Sequence, residues 1–567
     1  LITILDGYTD EPSCLGVPPY IAPLPRYLYG AIKSAGSDAT YITIDEYRRG
    51  STKIGRLEKS RMLIIIAGAL VPGKYIRAAP ISINETRKIA GGFRGHAVLG
   101  GAAAKFGFGG TGGRKARSSE ESGLGDIFDH ICGNDLDACI FNYLESGDYS
   151  ERHRTINEWN EWAVKGAEVV TQHPDYPQPL IAEVETYRGC VRYFTGGCSF
   201  CIEPSFGEPV FREPEDIALE ARALHERGIV NFRLGAQSCF FSYKATGIGE
   251  TETPTPNAGE IEKLLAGVRS AAPGVEVLHL DNANPAVIAE HPEESTDIIK
   301  LICRYCTSGN AVAFGLESAD PKVKAENNLN ATPQQAMLAI EMINRYGSQR
   351  GSNGMPLFLP GLNFVCGLPG ESRDTYELNF QFLKNVLERG FLVRRINIRQ
   401  ALELRSCLTM PDTRHTGPSK YKTQKHHRIF AKFKRKTREE IDREMLKKLV
   451  PAGTVLRRVF IEGEYQGVTF GRQVGTYPLL VGIPYPVESC RFIDVAVTEF
   501  GYRSITGIEY PFPVNMASLK ALQSLPGIGK KRAARLKLKR PIRDEKELTI
   551  ALGDEAAAAA ILPLVKF

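Results

Sequence analysis

Short apolar runs with strand spacing alternate with helical stretches twice along the chain, first over about 150 residues and then on a larger scale. Ile2–Asp6 reads as a strand, Gly7–Pro23 as a turn-rich segment, Pro25–Ala35 as a helix and Thr40–Ile44 as a second strand. Met62–Ile66 (strand), Ile81–Ala90 (helix), Ala97–Leu99 (strand), the glycine-rich loop Gly107–Gly113 and a strand-and-helix pair over Phe128–Leu144 follow. That order predicts an open, parallel, doubly wound (Rossmann-like) α/β sheet over residues 1–150, whose ligands sit at the carboxyl ends of the strands. The helical stretch Ile156–Val170 and the loop His173–Pro179 form a linker, 151–180.

From Ile181 the alternation restarts. Strands are expected at Ile181–Glu185, Asn231–Leu234, Glu276–Leu280, Ala311–Glu317, Gly361–Val365 and Arg395–Arg399. Helices are expected between them, among them Pro214–Arg227, Ala258–Ala271, Pro333–Arg345 and Arg373–Glu388. Six βα units over 181–410 predict a partial (β/α)6 barrel whose working face is the strand C-termini. A basic helical segment occupies 411–450. The runs Val455–Glu464, Gly467–Gly471 and Phe492–Val497 then predict a small antiparallel β-barrel over 451–512. Residues 513–567 are helical, broken by a sharp turn at Pro526–Gly529.

Composition adds limits. With 43% apolar and 24% charged residues the chain is globular rather than disordered. No apolar run reaches the ~18 residues of a membrane span, and no secretory segment opens the sequence, so a cytoplasmic protein with no membrane partner is expected. The twelve cysteines are dispersed, and their close spacing in places points to metal or cluster ligation before disulfides. The net charge of +6 is uneven: nine Lys/Arg lie between Lys420 and Arg438 without an acid, and more between Lys530 and Arg540.

The segment Gly189-Cys-Val-Arg-Tyr-Phe-Thr-Gly-Gly-Cys-Ser-Phe-Cys201 follows the first barrel strand directly. Three thiolates can bind three irons of a four-iron, four-sulfur (4Fe-4S) cluster and leave the fourth iron open. A structural zinc site is the plainer alternative, but zinc wants four closed ligands and no fourth lies nearby in sequence. Cys303-x-x-Cys306 reads either as half of a second metal site or as buried helix.

On these residues the chain resembles the radical S-adenosylmethionine (SAM) superfamily, whose usual loop spaces its cysteines three and two apart. Here Cys198-Ser-Phe-Cys201 is kept, while seven residues separate Cys190 from Cys198, either shaping the substrate's entrance or simply accommodated in the loop. The resemblance implies cluster ligation by Cys190, Cys198 and Cys201, and Phe200 covering the adenine. Gly235-Ala-Gln-Ser238 stands where the family has Gly-Gly-Glu, with Gln237 replacing the acid. Gly315-Leu-Glu-Ser318 brings Glu317, similar to the acid that contacts SAM, and Gly367-Leu-Pro-Gly-Glu371 brings a glycine turn to the adenine. The implied SAM set is therefore Phe200, Gly235, Gln237, Ser238, Asn282, Glu317, Ser318 and Leu368.

A doubly wound domain in front of such a barrel resembles the cobalamin-binding subclass. The matching pieces imply a tray from Glu11, Pro12, Ser13, Leu15, Gly16, Val17, Leu70, Val71, Gly100, Gly101, Gly133 and Asn134. The Asp-x-His-x-x-Gly segment that supplies an axial histidine is missing, which implies base-off cobalamin without histidine on cobalt, Leu70 and Val71 lying near its lower face. A doubly wound domain binding a nucleotide, or nothing, is the alternative. Nicotinamide is disfavoured because Gly107–Gly113 does not follow the first strand.

In this subclass one SAM methylates cob(I)alamin, and another is cleaved to a 5′-deoxyadenosyl radical that removes hydrogen from an unreactive carbon. The carbon then takes methyl from methylcobalamin. Tyr187, Arg188, Tyr193, Arg399 and Gln400 lie near strand ends as candidates for steering substrate. The phrases Asp10–Pro19, Glu185–Cys201 and Asp281-Asn-Ala-Asn-Pro285 extend the resemblance to archaeal radical SAM proteins with a C-terminal helix-hairpin-helix. It implies methylation of an unactivated sp3 carbon, with Cα of a glutamine in the methyl-coenzyme M reductase alpha chain as substrate and ferredoxin or flavodoxin as electron donor. The second choice is a tRNA-modifying enzyme: Leu525-Pro-Gly-Ile-Gly-Lys-Lys-Arg532 is similar to a phosphate-binding helix-hairpin-helix, and the small barrel to that of radical SAM tRNA methylthiotransferases. Both C-terminal pieces also suit protein docking.

Overall fold

The computed structural model describes residues 1–11, 14–69, 78–109, 112–402 and 426–567. Five parallel strands, Ile2–Glu11, Ala39–Thr43, Met62–Ala69, His96–Gly100 and His130–Ile131, form the first sheet. In space the second strand flanks the first, and the third, fourth and fifth follow on its other side. Helices cover both faces, which is why Met62–Ile66 is apolar without alternation and completely buried. The first strand runs five residues beyond the expected Asp6. The Asp6 carboxylate accepts the Tyr8 amide (2.8 Å), and a bulge between Asp6 and Thr9 lets Thr9 and Asp10 resume pairing with Gly68 and Ala69. A short hairpin then returns at Cys14–Leu15.

The expected turn-rich segment also holds a strand. Tyr20–Ile21 leaves the first sheet and pairs in parallel with Ile181–Ala182, the start of the barrel. The barrel follows as Ile181–Glu185, Asn231–Gly235 and Val277–Leu280, then Asn310–Glu317, Phe358–Cys366 and Arg395–Gln400. The two triplets are joined through the bridge Ala283–Phe314. The result is a partial barrel, open between its edge strands Tyr20–Ile21 and Arg395–Gln400. One continuous apolar core runs through sheet and barrel. Across it the first helix, Pro23–Ser34, sends Arg26 to Glu220 on the barrel helix Pro214–Glu226, and Arg212 meets the same carboxylate.

The C-terminal barrel has its own core. Val455–Tyr465, Val468–Gln473, Leu480–Ile483, Phe492–Phe500 and Ser504–Tyr510 close on themselves. It is not wholly antiparallel as expected: closure joins Leu480–Gly482 to Ser504–Thr506 in parallel, because the third and fifth strands enter that seam in the same direction. Short helices Leu519–Leu522, Lys530–Leu538, Glu545–Leu552 and Glu555–Ile561 follow, and Val565–Lys566 then pairs with Phe512–Pro513. Of the basic segment, His427–Lys436 is helical, and residues 403–425 lie outside the described residues. Among the described residues no helix is long and apolar enough to cross a membrane.

Candidate active site

Cys190, Cys198 and Cys201 occupy one loop at the carboxyl end of the first barrel strand. Gly189, Gly196 and Gly197 take positive φ there (97°, 79° and 56°), which lets the loop double back sharply. The residues between the first two cysteines form a turn, Tyr193–Thr195, locked by Asn328, whose Nδ2 donates to the carbonyls of Thr195 (3.2 Å) and Gly197 (2.8 Å). This stretch carries Arg192, which no motif in the sequence singles out. Its backbone N–H meets Cys190 Sγ (3.5 Å), its Nη1 lies 3.2 Å from Cys198 Sγ, and its Nη2 reaches Glu252 (3.1 Å) and the Asn328 carbonyl (2.8 Å). The longer gap thus places a nearly buried cation on the cluster loop. Burial pushes all three thiols up, Cys190 to about 12, and Arg192 opposes this at Cys198.

The donor set suits a cubane better than zinc. Among the described residues no compact group of His, Cys, Asp and Glu ligand atoms includes these cysteines. Tetrahedral zinc would draw its thiolates to within about 4 Å of one another. Glu317 fits SAM. It ends the fourth barrel strand in a left-handed conformation (φ 63°), and its Oε2 is buried without a hydrogen-bond partner. Such strain and an orphaned acceptor at a strand end mark a ligand position. Cys198 and Phe200 pack beside Leu368, Val365 and Ala401, an apolar wall next to the loop. Ser318 accepts the Asp320 amide (3.2 Å) in a turn.

Other assigned residues have internal work. The Gln237 amide is spent within the protein: Oε1 accepts from Thr186 (3.3 Å) and Nε2 donates to the Leu234 carbonyl (3.0 Å). It therefore holds the strand end rather than presenting itself to a ligand. Gly235 is small because a Cβ would stand 2.1 Å from the Glu183 carboxylate, and Asn282 Nδ2 donates to the Gln237 carbonyl (3.2 Å). Tyr187, expected to steer substrate, is wholly buried. Its hydroxyl donates to the Cys239 carbonyl (2.7 Å), accepts the Cys239 amide (2.9 Å) and meets Ser238 (3.1 Å), which in turn donates to the Gly189 carbonyl (3.0 Å). This chain ties the second strand end to the cysteine loop. Tyr193 belongs to the turn inside the cysteine gap, and Cys303 and Cys306 pack against the core.

A cavity of about 120 Å³ lies where the carboxyl ends of both sheets meet, lined from one side by Thr9, Gly101 and Asn134 and from the other by Glu185, Arg188 and Ala236. Arg188 pairs with Asp135 (2.5 Å), and Arg154 with Asp137 (2.8 Å) and Glu185 (3.2 Å). The carboxyl ends of the two sheets face each other here, but the cavity bounded by the described residues is smaller than a corrin, whose size calls for a site well above ~300 Å³. Several tray residues also have structural work of their own. Val17 is buried in the first sheet's own core. A Cβ on Gly100 would strike Leu136, and one on Gly101 (φ 95°) the Ala67 backbone. A Cβ on Gly16 would meet Ala22 and Thr9. The Gly133 and Asn134 amides bind Glu151. Glu11 and Leu15 sit on the hairpin strands, whereas Pro12, Ser13, Leu70 and Val71 lie outside the described residues.

A second cavity, about 360 Å³, fills the open side of the partial barrel and is covered by the C-terminal barrel. Arg394, Arg395, Arg399, Arg472 and Arg503 line it, with Asp442 the one lining carboxylate among the described residues. Burial, then neighbouring arginines, lowers Arg394 to about 9 and Arg503 to about 10. Charge crowded in this way favours an anionic ligand. Arg399 also faces Glu317 electrostatically. The Gln400 backbone is instead taken up by the glycine-rich loop, where a Cβ on Gly112 would come within 2.7 Å of its carbonyl.

Residues 184–383 match the Radical SAM superfamily, so the cysteine loop and Glu317 belong to a radical SAM domain. The chain is 46% identical over 515 residues to an uncharacterized protein of Methanocaldococcus jannaschii, covering 89% of this chain and 92% of that one. It is 42% identical over 556 residues to an uncharacterized protein of Archaeoglobus fulgidus, covering 98% of each, and it belongs to one family with these archaeal proteins. Among solved structures it is similar to the radical S-adenosylmethionine methyltransferase TsrM from Kitasatospora setae with cobalamin and a [4Fe-4S] cluster bound (TM-score 0.45, 13% identity, 70% of this chain and 74% of that one).

Two expectations follow from the site. Arg192→Ala removes a cation beside the cluster sulfurs, so the reduced, more negative cluster loses stabilisation and its potential moves negative, as redox titration would register. An unchanged potential would separate Arg192 from the cluster. Burial raises Glu317 to about 8, so below that pH it carries a proton. Binding the SAM ammonium there needs the carboxylate, so affinity falls about tenfold per pH unit well below the raised value. Glu317→Gln should flatten that profile in equilibrium dialysis.

Proposed function

We propose that this chain is a radical SAM methyltransferase that methylates an unactivated sp3 carbon, with cobalamin as a cofactor implied by the family resemblance. The observation that carries the reading is the meeting of two sets of strand carboxyl ends across one cavity, one set bearing the cysteine loop and Glu317. When bound, the cluster with SAM supplies hydrogen abstraction from carbon, chemistry that belongs to the cofactors. Cys190, Cys198 and Cys201 hold the cluster, and Arg192 balances its charge. Glu317 accepts the SAM ammonium, with Phe200 and Leu368 as the wall beside it. The pairs among Asp135, Arg154, Glu185 and Arg188 close the cavity and restrict water.

The cobalamin part rests on the first sheet's strand order, the 2-1-3-4-5 arrangement whose ligands lie at the carboxyl ends. The cavity bounded by the described residues is smaller than a corrin. The finer substrate, Cα of a glutamine in the methyl-coenzyme M reductase alpha chain, and the electron donor, ferredoxin or flavodoxin, follow from family resemblance alone. Anaerobic reconstitution with SAM and reductant tests the reading. 5′-Deoxyadenosine, S-adenosylhomocysteine and a one-methyl mass gain on a peptide spanning that glutamine are expected. Absence of both nucleoside products would remove the enzyme reading, and a purified protein without corrin absorbance would remove cobalamin.

The arginine-lined cavity favours a second reading, modification of tRNA, with phosphates met by Arg394, Arg395 and Arg503 and the C-terminal turn Leu525–Arg532 acting as a helix-hairpin-helix. Steeply salt-dependent tRNA binding that weakens in Arg394→Gln and Arg503→Gln would support it. Binding unchanged in these variants would set it aside.

A further inference from the structure

We propose that His130, Cys132, Cys139 and Glu151 form a structural zinc site at the edge of the first sheet. One ligand atom from each lies within 4.8 Å of every other. Zinc at about 2.3 Å from sulfur and about 2.0 Å from nitrogen holds its ligands some 3.3–3.8 Å apart, so this quartet needs only a small contraction. The residues come from the edge strand and its end (His130 and Cys132), the helix Leu136–Ser146 (Cys139) and the loop that follows (Glu151).

The supports around them are those a metal ligand uses. Glu151 Oε2 accepts the N–H groups of Gly133 (3.1 Å) and Asn134 (2.9 Å), which aims Oε1 at His130 Nε2, 2.8 Å away. The His130 ring lies flat on Tyr149 (4.3 Å between centroids, 1° between planes), and Tyr149 stacks on Tyr143 (4.2 Å). These contacts fix the ring and the carboxylate before a metal arrives. Cys132 and Cys139 are both buried, with their sulfurs turned to the same point. Two thiolates, an imidazole and a carboxylate make a closed, four-coordinate set. Its soft sulfur donors select zinc over magnesium or calcium. No open coordination position remains, so the role is structural.

The site is separate from the cluster cysteines. It would staple the edge strand, the following helix and the loop that delivers Arg154 to the cavity between the sheets. Metal analysis of the full chain, purified anaerobically with its cluster, tests the assignment. About one zinc per chain is expected beside the cluster iron, falling at least about tenfold in Cys132→Ser and Cys139→Ser while iron stays bound. Cys198→Ala should show the converse, losing iron and keeping zinc. Cobalt(II) substituted for zinc in the wild-type chain should give thiolate charge-transfer and tetrahedral d–d absorption. Chelation should lower the melting temperature reversibly, a readout that does not depend on how the variants fold. Three outcomes would overturn the site: a wild-type chain with neither zinc nor the cobalt spectrum, zinc retained in both cysteine variants, or a Cys132–Cys139 pair that alkylates only after reduction.

Discussion

Cys198→Ala is expected to abolish SAM cleavage, with 5′-deoxyadenosine falling at least about a thousandfold, because two thiolates leave a second iron without a protein ligand. Cys198 is the middle cysteine of the loop, receives Arg192 Nη1 and packs with Phe200 against Leu368. Its loss therefore removes a cluster bond without disturbing the barrel core. The fold should persist, with circular dichroism and melting temperature near wild type while iron falls. Sustained 5′-deoxyadenosine formation by the alanine variant would sink the cluster assignment.

The largest expected stability change is elsewhere. Glu220→Ala should cost about 3–5 kcal/mol, since breaking one partner of a buried ion network leaves the others charged and unpaired. Arg26, Arg212 and Glu220 all have fully buried side chains. Arg26 also donates to the Glu183 carbonyl, and Arg212 Nε to Asn160 (3.0 Å). Burial pushes the Glu220 carboxyl up, but the two guanidiniums outweigh it and hold the group below its usual range. A lowered native value means that the contribution is complete above the ordinary glutamate range and is lost as pH falls through the lowered value. Denaturant midpoints of wild type and Glu220→Ala should therefore differ most at neutral pH and converge in acid. A shift under about 1 kcal/mol at neutral pH would show the network to be dispensable.

Much of the fold is legible in the sequence because buried parallel strands announce themselves. Ile181–Glu185 and Ala258–Ala271 fall where their apolar spacing predicts, and Met62–Ile66 has the unbroken apolar run of a strand covered on both faces. What stays hidden is pairing between residues far apart. Tyr20–Ile21 has only two strand residues, and its partner is the barrel rather than its own sheet. The helices Pro285–Glu290 and Pro292–Tyr305, between the third and fourth barrel strands, each open on proline, a helix-start signal. At the site, cysteine spacing was enough to locate the loop. Tyr187 and Gln237 have residue types suited to binding, yet their polar atoms are consumed internally, which only tertiary geometry reveals. Glu220 sits on an amphipathic helix, where an acid reads as solvent-facing until Arg26 and Arg212 are seen to cover it. The quartet His130, Cys132, Cys139 and Glu151 carries no short metal-binding spacing, since its members converge through a strand, a helix and a loop.

The strand Tyr20–Ile21 makes the front sheet and the barrel interlocked rather than beads on a string. A graft that moved residues 1–150 onto another barrel would take an edge strand from Ile181–Ala182, and a truncated barrel would lack it from the start. Chimeras that exchange the front unit should therefore keep Gly16–Ala22 with the native barrel. During synthesis this short strand must also wait until Ile181 and Ala182 emerge, after every strand of the first sheet, so the first sheet can settle before its link to the barrel forms.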